Sequence, residues 1–368
     1  FQGLLNQCLV ILPGISQTPW ILACAQEKIH SHNKIFAIST NAAWRGEIED
    51  RIYDDVCKLF NVVWCGNHPL SSTTRREFQL LDSGTDNCQL HKREVIEKVL
   101  GLNPFIKAFD QFNLVTTVKS CTLQDFLIAN AMKCKRAFLV TDGIFNHDLK
   151  VDRTKSSDFS PKDPLCVLPS DENVWCPAYL SEYARNVGKP KIISSWLLTE
   201  YEKRISRTNY VSQVQKNFNT NKDSLNGIVL SQHFSLSGFC DKKSEILYYL
   251  KLSQFLFESG ATKVFWKPHP RDEINKYSEI RELMESERKK SFLNLDSFGL
   301  CPIEQLEDLS ECIVVGSNST GLLAVRNKVS KPLKVLCADS KFLGKKLSGM
   351  VVKFSHDNDL PLIDIPNN

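Results

Sequence analysis

The chain has 368 residues, 42% of them hydrophobic and 24% charged, with a formal net charge of +4. That length gives room for two domains with ample core, and the composition is that of an ordinary soluble globular protein. The small basic excess fits an anionic substrate or a loose membrane-surface association; it is too slight to indicate nucleic acid, and no run of about eighteen apolar residues marks a membrane span.

Residues 1–3, Phe-Gln-Gly, read as the remnant of a protease-cleavable tag. From residue 4 to residue 208 strands and helices alternate. Apolar runs predict strands at 8–12, 34–39, 61–65, 114–118 and 137–140, with helices at 18–29, 44–59, 91–109 and 123–133 between them. The polar stretch 67–90 reads as a long loop, and so does 148–164. Residues 191–195 and the amphipathic stretch 196–205 are expected to complete the first sheet. The polar segment 209–226, with Asn217, Asn219 and Asn221, is the expected linker. Alternation resumes over 227–368, with strands at 227–230, 263–266, 312–315 and 332–337 and helices at 243–257, 273–290, 303–309 and 320–327. Such regular alternation predicts parallel, doubly wound sheets. The thirteen cysteines, Cys24, Cys57, Cys65, Cys134, Cys312 and Cys337 among them, show no zinc-type spacing. They read as free, mostly buried thiols in a reducing compartment.

Two turns carry chemistry. The strand 264–266 runs into Lys267-Pro268-His269-Pro270-Arg271. Neither proline can donate to a ladder, so the sheet stops and His269 stands just past a strand's carboxyl end, the edge where open α/β sheets bind ligands. Lys267, His269 and Arg271 are donors suited to a phosphate; the bland reading is a rigid turn with solvated charges. The strand 312–315 is followed by Gly316-Ser317-Asn318-Ser319-Thr320 and a helix. Ser319 or Thr320 would cap that helix, whose N-terminus offers unpaired N–H groups to an anion. His68-Pro69 also follows a strand but lacks flanking cations and reads as a loop, with contact to an acceptor as the lesser alternative; Arg75-Arg76 and Lys92-Arg93 read as solvated charges that an anionic acceptor glycan could use. Neither half has a Gly-x-Gly-x-x-Gly or Walker loop, which argues against dinucleotide oxidoreduction and P-loop hydrolysis.

Together the two turns resemble the HP and S-S/T motifs of bacterial sialyltransferases of the capsular polysialyltransferase and lipooligosaccharide sialyltransferase type. A third motif of those enzymes, two acids before a glycine, is similar to Thr141-Asp142-Gly143, with threonine in place of the first acid. Ser231-Gln232 resembles their Ser-Gln or Gly-Gln turn, and Pro302-Ile303-Glu304 the segment whose glutamate contacts the nucleotide ribose. The similarity is confined to these islands, mostly between 226 and 330.

The resemblance implies a GT-B-like α/β fold, two Rossmann-like doubly wound domains facing a central cleft, with 4–208 on the acceptor side and 227–368 binding the nucleotide sugar. It implies inverting, metal-independent transfer of sialic acid from CMP-sialic acid to a hydroxyl of a bacterial surface glycan, with no cofactor. Asp142 and His269 are the expected catalytic residues. Gly143, Gln232, Lys267, Pro268, Arg271, Glu304, Gly316, Ser317, Ser319 and Thr320 are expected to bind donor or nucleotide. The expected partners are a nucleotide sugar and a glycan acceptor, and the expected location is the cytoplasm or the cytoplasmic face of the inner membrane. Two other readings stay open: a transferase using another activated sugar such as CMP-Kdo, and a non-catalytic bilobed glycan-binding protein.

Overall fold

The structure is a computed structural model that describes residues 7–12, 14–28, 35–39, 46–67, 112–117, 134–141, 143, 170–219, 224–269, 272, 275–288, 294–299, 301–307, 309, 311–328, 334–339 and 341–365. The chain divides into two compact units, Phe1–Asn209 and Tyr210–Asn368. The loop beyond Asn67, the loop at 148–164 and the expected helices at 91–109 and 123–133 lie outside the described residues.

The first unit is built on seven parallel strands. They are β1 (Gln7–Leu12), β2 (Ile35–Ser39), β3 (Val63–Asn67), β4 (Phe112–Thr117), β5 (Cys134–Val140), β6 (Ser170–Cys176) and β7 (Lys189–Ile192), in the order β3-β2-β1-β4-β5-β6-β7. β1 is buried from Cys8 to Leu12. A strand covered on both faces reads as an unbroken apolar run, which is why it is visible in the sequence. Helix α1 (Thr18–Lys28) buries Trp20 to Ala25. Helix α2 (Gly46–Leu59) buries Tyr53, Val56 and Cys57, a one-sided spacing, and Tyr53 stacks on Trp64 of β3 at 5.2 Å. After the short helix α3 (Ser181–Arg185), β7 forms an edge whose Pro190 costs no ladder bond on its open side. Helix α4 (Ser195–Ser206) buries Leu197, Tyr201 and Ile205, and Tyr201 stacks on Phe60 at 4.3 Å. The polar start of β6, Ser-Asp-Glu-Asn, hides that strand from a search for apolar runs.

The second unit opens with a departure from expectation. Asn209–Asn219, within the stretch expected to be a linker, is a helix, α5. Val211 and Phe218 on it are buried, a helical spacing that its asparagines obscure. Phe218 packs edge-on to Phe265 at 5.0 Å, and the Tyr210 hydroxyl donates to the Phe298 carbonyl at 3.3 Å. Gln215 exchanges hydrogen bonds with the backbone of Glu307 at 2.7 and 3.0 Å. These contacts tie α5 to the second unit.

That unit's strands are β8 (Asn226–Leu230), β9 (Lys263–Lys267), β10 (Asn294–Ser297), β11 (Cys312–Gly316), β12 (Lys334–Asp339) and β13 (Leu362–Asp364), parallel and ordered β10-β9-β8-β11-β12-β13. Helix α6 (Lys242–Glu258) starts at Asp241, whose carboxylate accepts the Ser244 N–H at 2.8 Å. Helices α7 (Lys276–Arg288) and α8 (Thr320–Lys328) follow, and α9 (Gly344–Asp357) covers a region for which no element is expected from the sequence. The expected helix at 303–309 is a single 3₁₀ turn, Ile303–Gln305. In both sheets the strand order reverses beside the first strand, and a doubly wound sheet opens its ligand crevice at that point. Cys8, Cys24, Cys57, Cys176, Cys301, Cys312 and Cys337 are buried thiols, and Cys240 is half-buried. Among the described residues no helix is long and apolar enough to cross a membrane, and no cluster of three or more His, Cys, Asp or Glu could hold a metal ion.

Candidate active site

Strand register decides what the second unit gathers at its crevice. Leu230, the last residue of β8, pairs with Lys267 of β9 on one side and with Gly316 of β11 on the other. The residues that follow these three therefore leave the sheet from one carboxyl edge at the switch point. They are Ser231-Gln232, Pro268-His269 and Ser317 to Thr320. Three of the expected motifs, remote in sequence, are brought together by parallel pairing alone.

The β8 and β9 turns are fastened to each other. The Ser231 N–H donates to the Lys267 carbonyl at 2.9 Å, the last ladder bond before Pro268. Lys267 turns its ammonium onto the Pro268 carbonyl at 2.9 Å. The His269 N–H donates to Asp272 Oδ2 at 2.8 Å, and the Asp272 N–H donates back to the His269 carbonyl at 2.9 Å. The imidazoles of His269 and His233 lie with ring centroids 4.2 Å apart, tilted by 31°.

Beneath these turns is a buried ionic cluster. Lys276, 4% exposed, holds its ammonium 2.9 Å from Ser231 Oγ, 2.5 Å from the Gln232 carbonyl, 2.6 Å from Glu245 Oε1 and 2.9 Å from Asp272 Oδ1. The same ammonium stands 4.3 Å from the centre of the Tyr249 ring. Glu245 accepts the N–H groups of Phe234 and Ser235 at 3.1 and 2.8 Å and the Ser235 hydroxyl as well. Burial raises the pKa of the Glu245 carboxyl, but Lys276 and the Ser235 bonds outweigh that and hold it below the usual value. Burial pushes the Tyr249 phenol well above its ordinary value, so it stays neutral; its oxygen accepts the Gln232 N–H at 2.6 Å. Removing one partner of such a buried pair costs about 3–5 kcal/mol.

The third turn is tight. Ser317 and Asn318 are buried, and the Ser317 hydroxyl donates to Asn318 Oδ1 at 3.2 Å. Ser319 is the N-cap of α8: its hydroxyl accepts the Gly321 N–H at 3.3 Å. A Cβ on Gly321 would lie 3.1 Å from Leu230 Cδ1 and 3.2 Å from Ile303 Cγ2. The lack of a side chain there lets the first turn of α8 sit directly against β8 and against the 3₁₀ turn carrying Glu304, itself buried. The edge thus offers an imidazole, hydroxyls and a helix N-terminus, a set suited to an anionic ester.

Residues 67–337 match the family model described as alpha-2,8-polysialyltransferase (POLYST). The chain belongs to that family. The matched range contains every expected site residue from Asp142 to Thr320. Among solved structures, the GT-B domain of a sialyltransferase from Photobacterium damselae (residues 113–497) superposes with a TM-score of 0.50 at 10% identity, covering 97% of this chain and 100% of that one. A UDP-GlcNAc 2-epimerase from Methanocaldococcus jannaschii superposes with a TM-score of 0.44 at 15% identity, covering 91% and 83%. No curated protein matches the sequence. The fold is GT-B, and the polysialyltransferase-family chain is a glycosyltransferase of the sialyltransferase kind.

In this sialyltransferase the motif with the missing acid follows β5. Thr141 is buried, and its N–H donates to the Trp175 carbonyl at 2.8 Å. Its hydroxyl accepts the Gly143 N–H at 3.4 Å. A carboxylate at that position would accept the same bond, so threonine keeps the local turn that an acid would make. Gly143 has φ of +102°, a conformation that favours glycine. Asp142 and Arg271 lie outside the described residues, as do His68-Pro69, Arg75-Arg76 and Lys92-Arg93. Four residues of the site escape the sequence reading: His233, Glu245, Asp272 and Lys276. Asp272 and Lys276 stand at a helical i,i+4 spacing, which was available as a signal. Glu245 sits on a different helix and had none.

Proposed function

We propose that this sialyltransferase moves sialic acid from CMP-sialic acid to a hydroxyl of a bacterial surface glycan, with inversion and without a metal. The observation that carries the reading is the shared register of Leu230, Lys267 and Gly316, which sends His269 and the Ser317–Thr320 turn off one sheet edge. Cleaving the bond between the anomeric carbon and the phosphate leaves CMP with the electron pair and a growing negative charge. His269, Ser319, Thr320 and the N-terminus of α8 stabilise that charge, with Lys267 and Arg271 in support. Pro268, Gly316 and Ser317 shape the two turns, Gln232 borders them, and Glu304 takes the ribose. The acceptor hydroxyl gives its proton to the carboxylate of Asp142, which Gly143 follows, as its oxygen bonds to the anomeric carbon on the face opposite the phosphate. Attack from that face inverts the centre. The family's description supports an α2,8 linkage and repeated addition.

The test is CMP release from CMP-sialic acid in the presence of an oligosialic acceptor. His269→Ala should lower turnover about 100-fold or more, as the loss of a group stabilising a developing anion does, and Asp142→Asn by a similar factor. Turnover like the wild type's in either variant removes that residue from the mechanism. Thermal stabilisation by UDP but not by CMP would overturn the donor assignment.

A further inference from the structure

The groups proposed to grip the phosphate stand on turns, and turns hold a catalytic geometry only when something beneath them is fixed. At this edge that something is one ammonium. Lys276 is the first residue of α7, yet its Nζ reaches the hydroxyl of Ser231 and the carbonyl of Gln232 on the β8 turn. It also reaches Glu245 of α6 and Asp272 of the β9 turn. Asp272 uses its other oxygen to accept the His269 N–H. The chain of contacts therefore runs from the His269 backbone through a carboxylate and an ammonium to the neighbouring turn, which also carries the imidazole of His233, tilted against that of His269. The side chain of Lys276 is 5% exposed and its ammonium is already engaged by four protein acceptors, so its role here is to hold the turns.

We propose that Lys276 is a positioning residue of the site: acting through Asp272, it sets His269 against the departing phosphate and locks the β8 and β9 turns in register. The proposal rests on the reading that this edge binds the nucleotide. A buried ion pair that merely stabilises the fold would give the same melting behaviour, so the decisive measurements concern binding and the state of His269.

The experiment uses the full chain. CMP is titrated calorimetrically into the wild type, Lys276→Met, Lys276→Arg and Asp272→Ala, and the imidazole resonances are recorded without ligand, that of His269 assigned by its loss in His269→Gln. A displaced turn should weaken CMP binding about tenfold or more in Lys276→Met and in Asp272→Ala, with part of the loss regained in Lys276→Arg. In both weakened variants the His269 resonance should move before any nucleotide is added. Asp272→Ala leaves the Lys276–Glu245 pair intact, so it carries the test if Lys276→Met does not fold. The proposal is overturned if a folded Lys276→Met or Asp272→Ala protein binds CMP within about threefold of the wild type with the His269 resonance unmoved. Failure of the wild type to bind CMP would refute the nucleotide reading instead, and the His269 resonance would still report whether Lys276 positions the ring.

Discussion

At the scale of the residue, Glu245 shows how a buried charge makes stability depend on pH. Its carboxyl is held below its ordinary value although burial pushes the other way, because Lys276 and Ser235 favour the ionised form. A depressed carboxylate pKa contributes stability that is complete above the unfolded-state value and is lost as pH falls through the lower native value. The melting temperature of the wild type should therefore fall more steeply than that of Glu245→Gln between about pH 5 and pH 3, so that the two converge. A gap between them that stays constant over that range would show that Glu245 does not titrate as described. The same residue marks the limit of sequence reading. His269, Ser319 and Thr320 were legible because prolines, glycine and small hydroxyl residues punctuate the chain around them. Glu245 was not, because its ion pair with Lys276 joins two different helices and leaves no periodic trace.

At the scale of the element, burial on both faces decided what could be read. β1, β8, β9 and β11 are enclosed on both sides and appear in the sequence as short apolar runs. β6 and β10 contain acids and asparagines and disappear among loop residues. Helix α5 is the instructive case: three asparagines mark a linker by composition, while its two buried side chains mark a helix by spacing. Phe218 is 2% exposed and packs against Phe265 and Phe298, which stack on each other at 5.0 Å. Phe218→Ala should destabilise the second unit by about 3–5 kcal/mol, the usual cost of emptying a buried aromatic site. Chemical denaturation gives the number, and a change below about 1 kcal/mol would mean that α5 is not anchored through this ring.

At the scale of the whole molecule, the two units repeat one plan, with parallel strands and an order that turns back beside the first strand. Each has its own sheet and its own core. A fragment spanning 210–368 should therefore unfold cooperatively and be stabilised by CMP, as the site proposed for the nucleotide is made largely from its turns. A fragment without a cooperative transition would show that the second unit needs the first in order to fold. This level was the most legible in the sequence, since alternation of strand and helix dictates a parallel sheet before any side chain is placed.

The six tryptophans are unevenly shared: five lie before residue 210, and Trp266 alone lies after it. Trp266 is fully enclosed, meets Tyr249 edge-on at 5.0 Å, and precedes His269 by three positions on the same chain. The isolated second unit thus carries its own optical probe, a single indole three residues before His269 on the turn under test. Its emission can report ligand arrival and loss of fold without any dye.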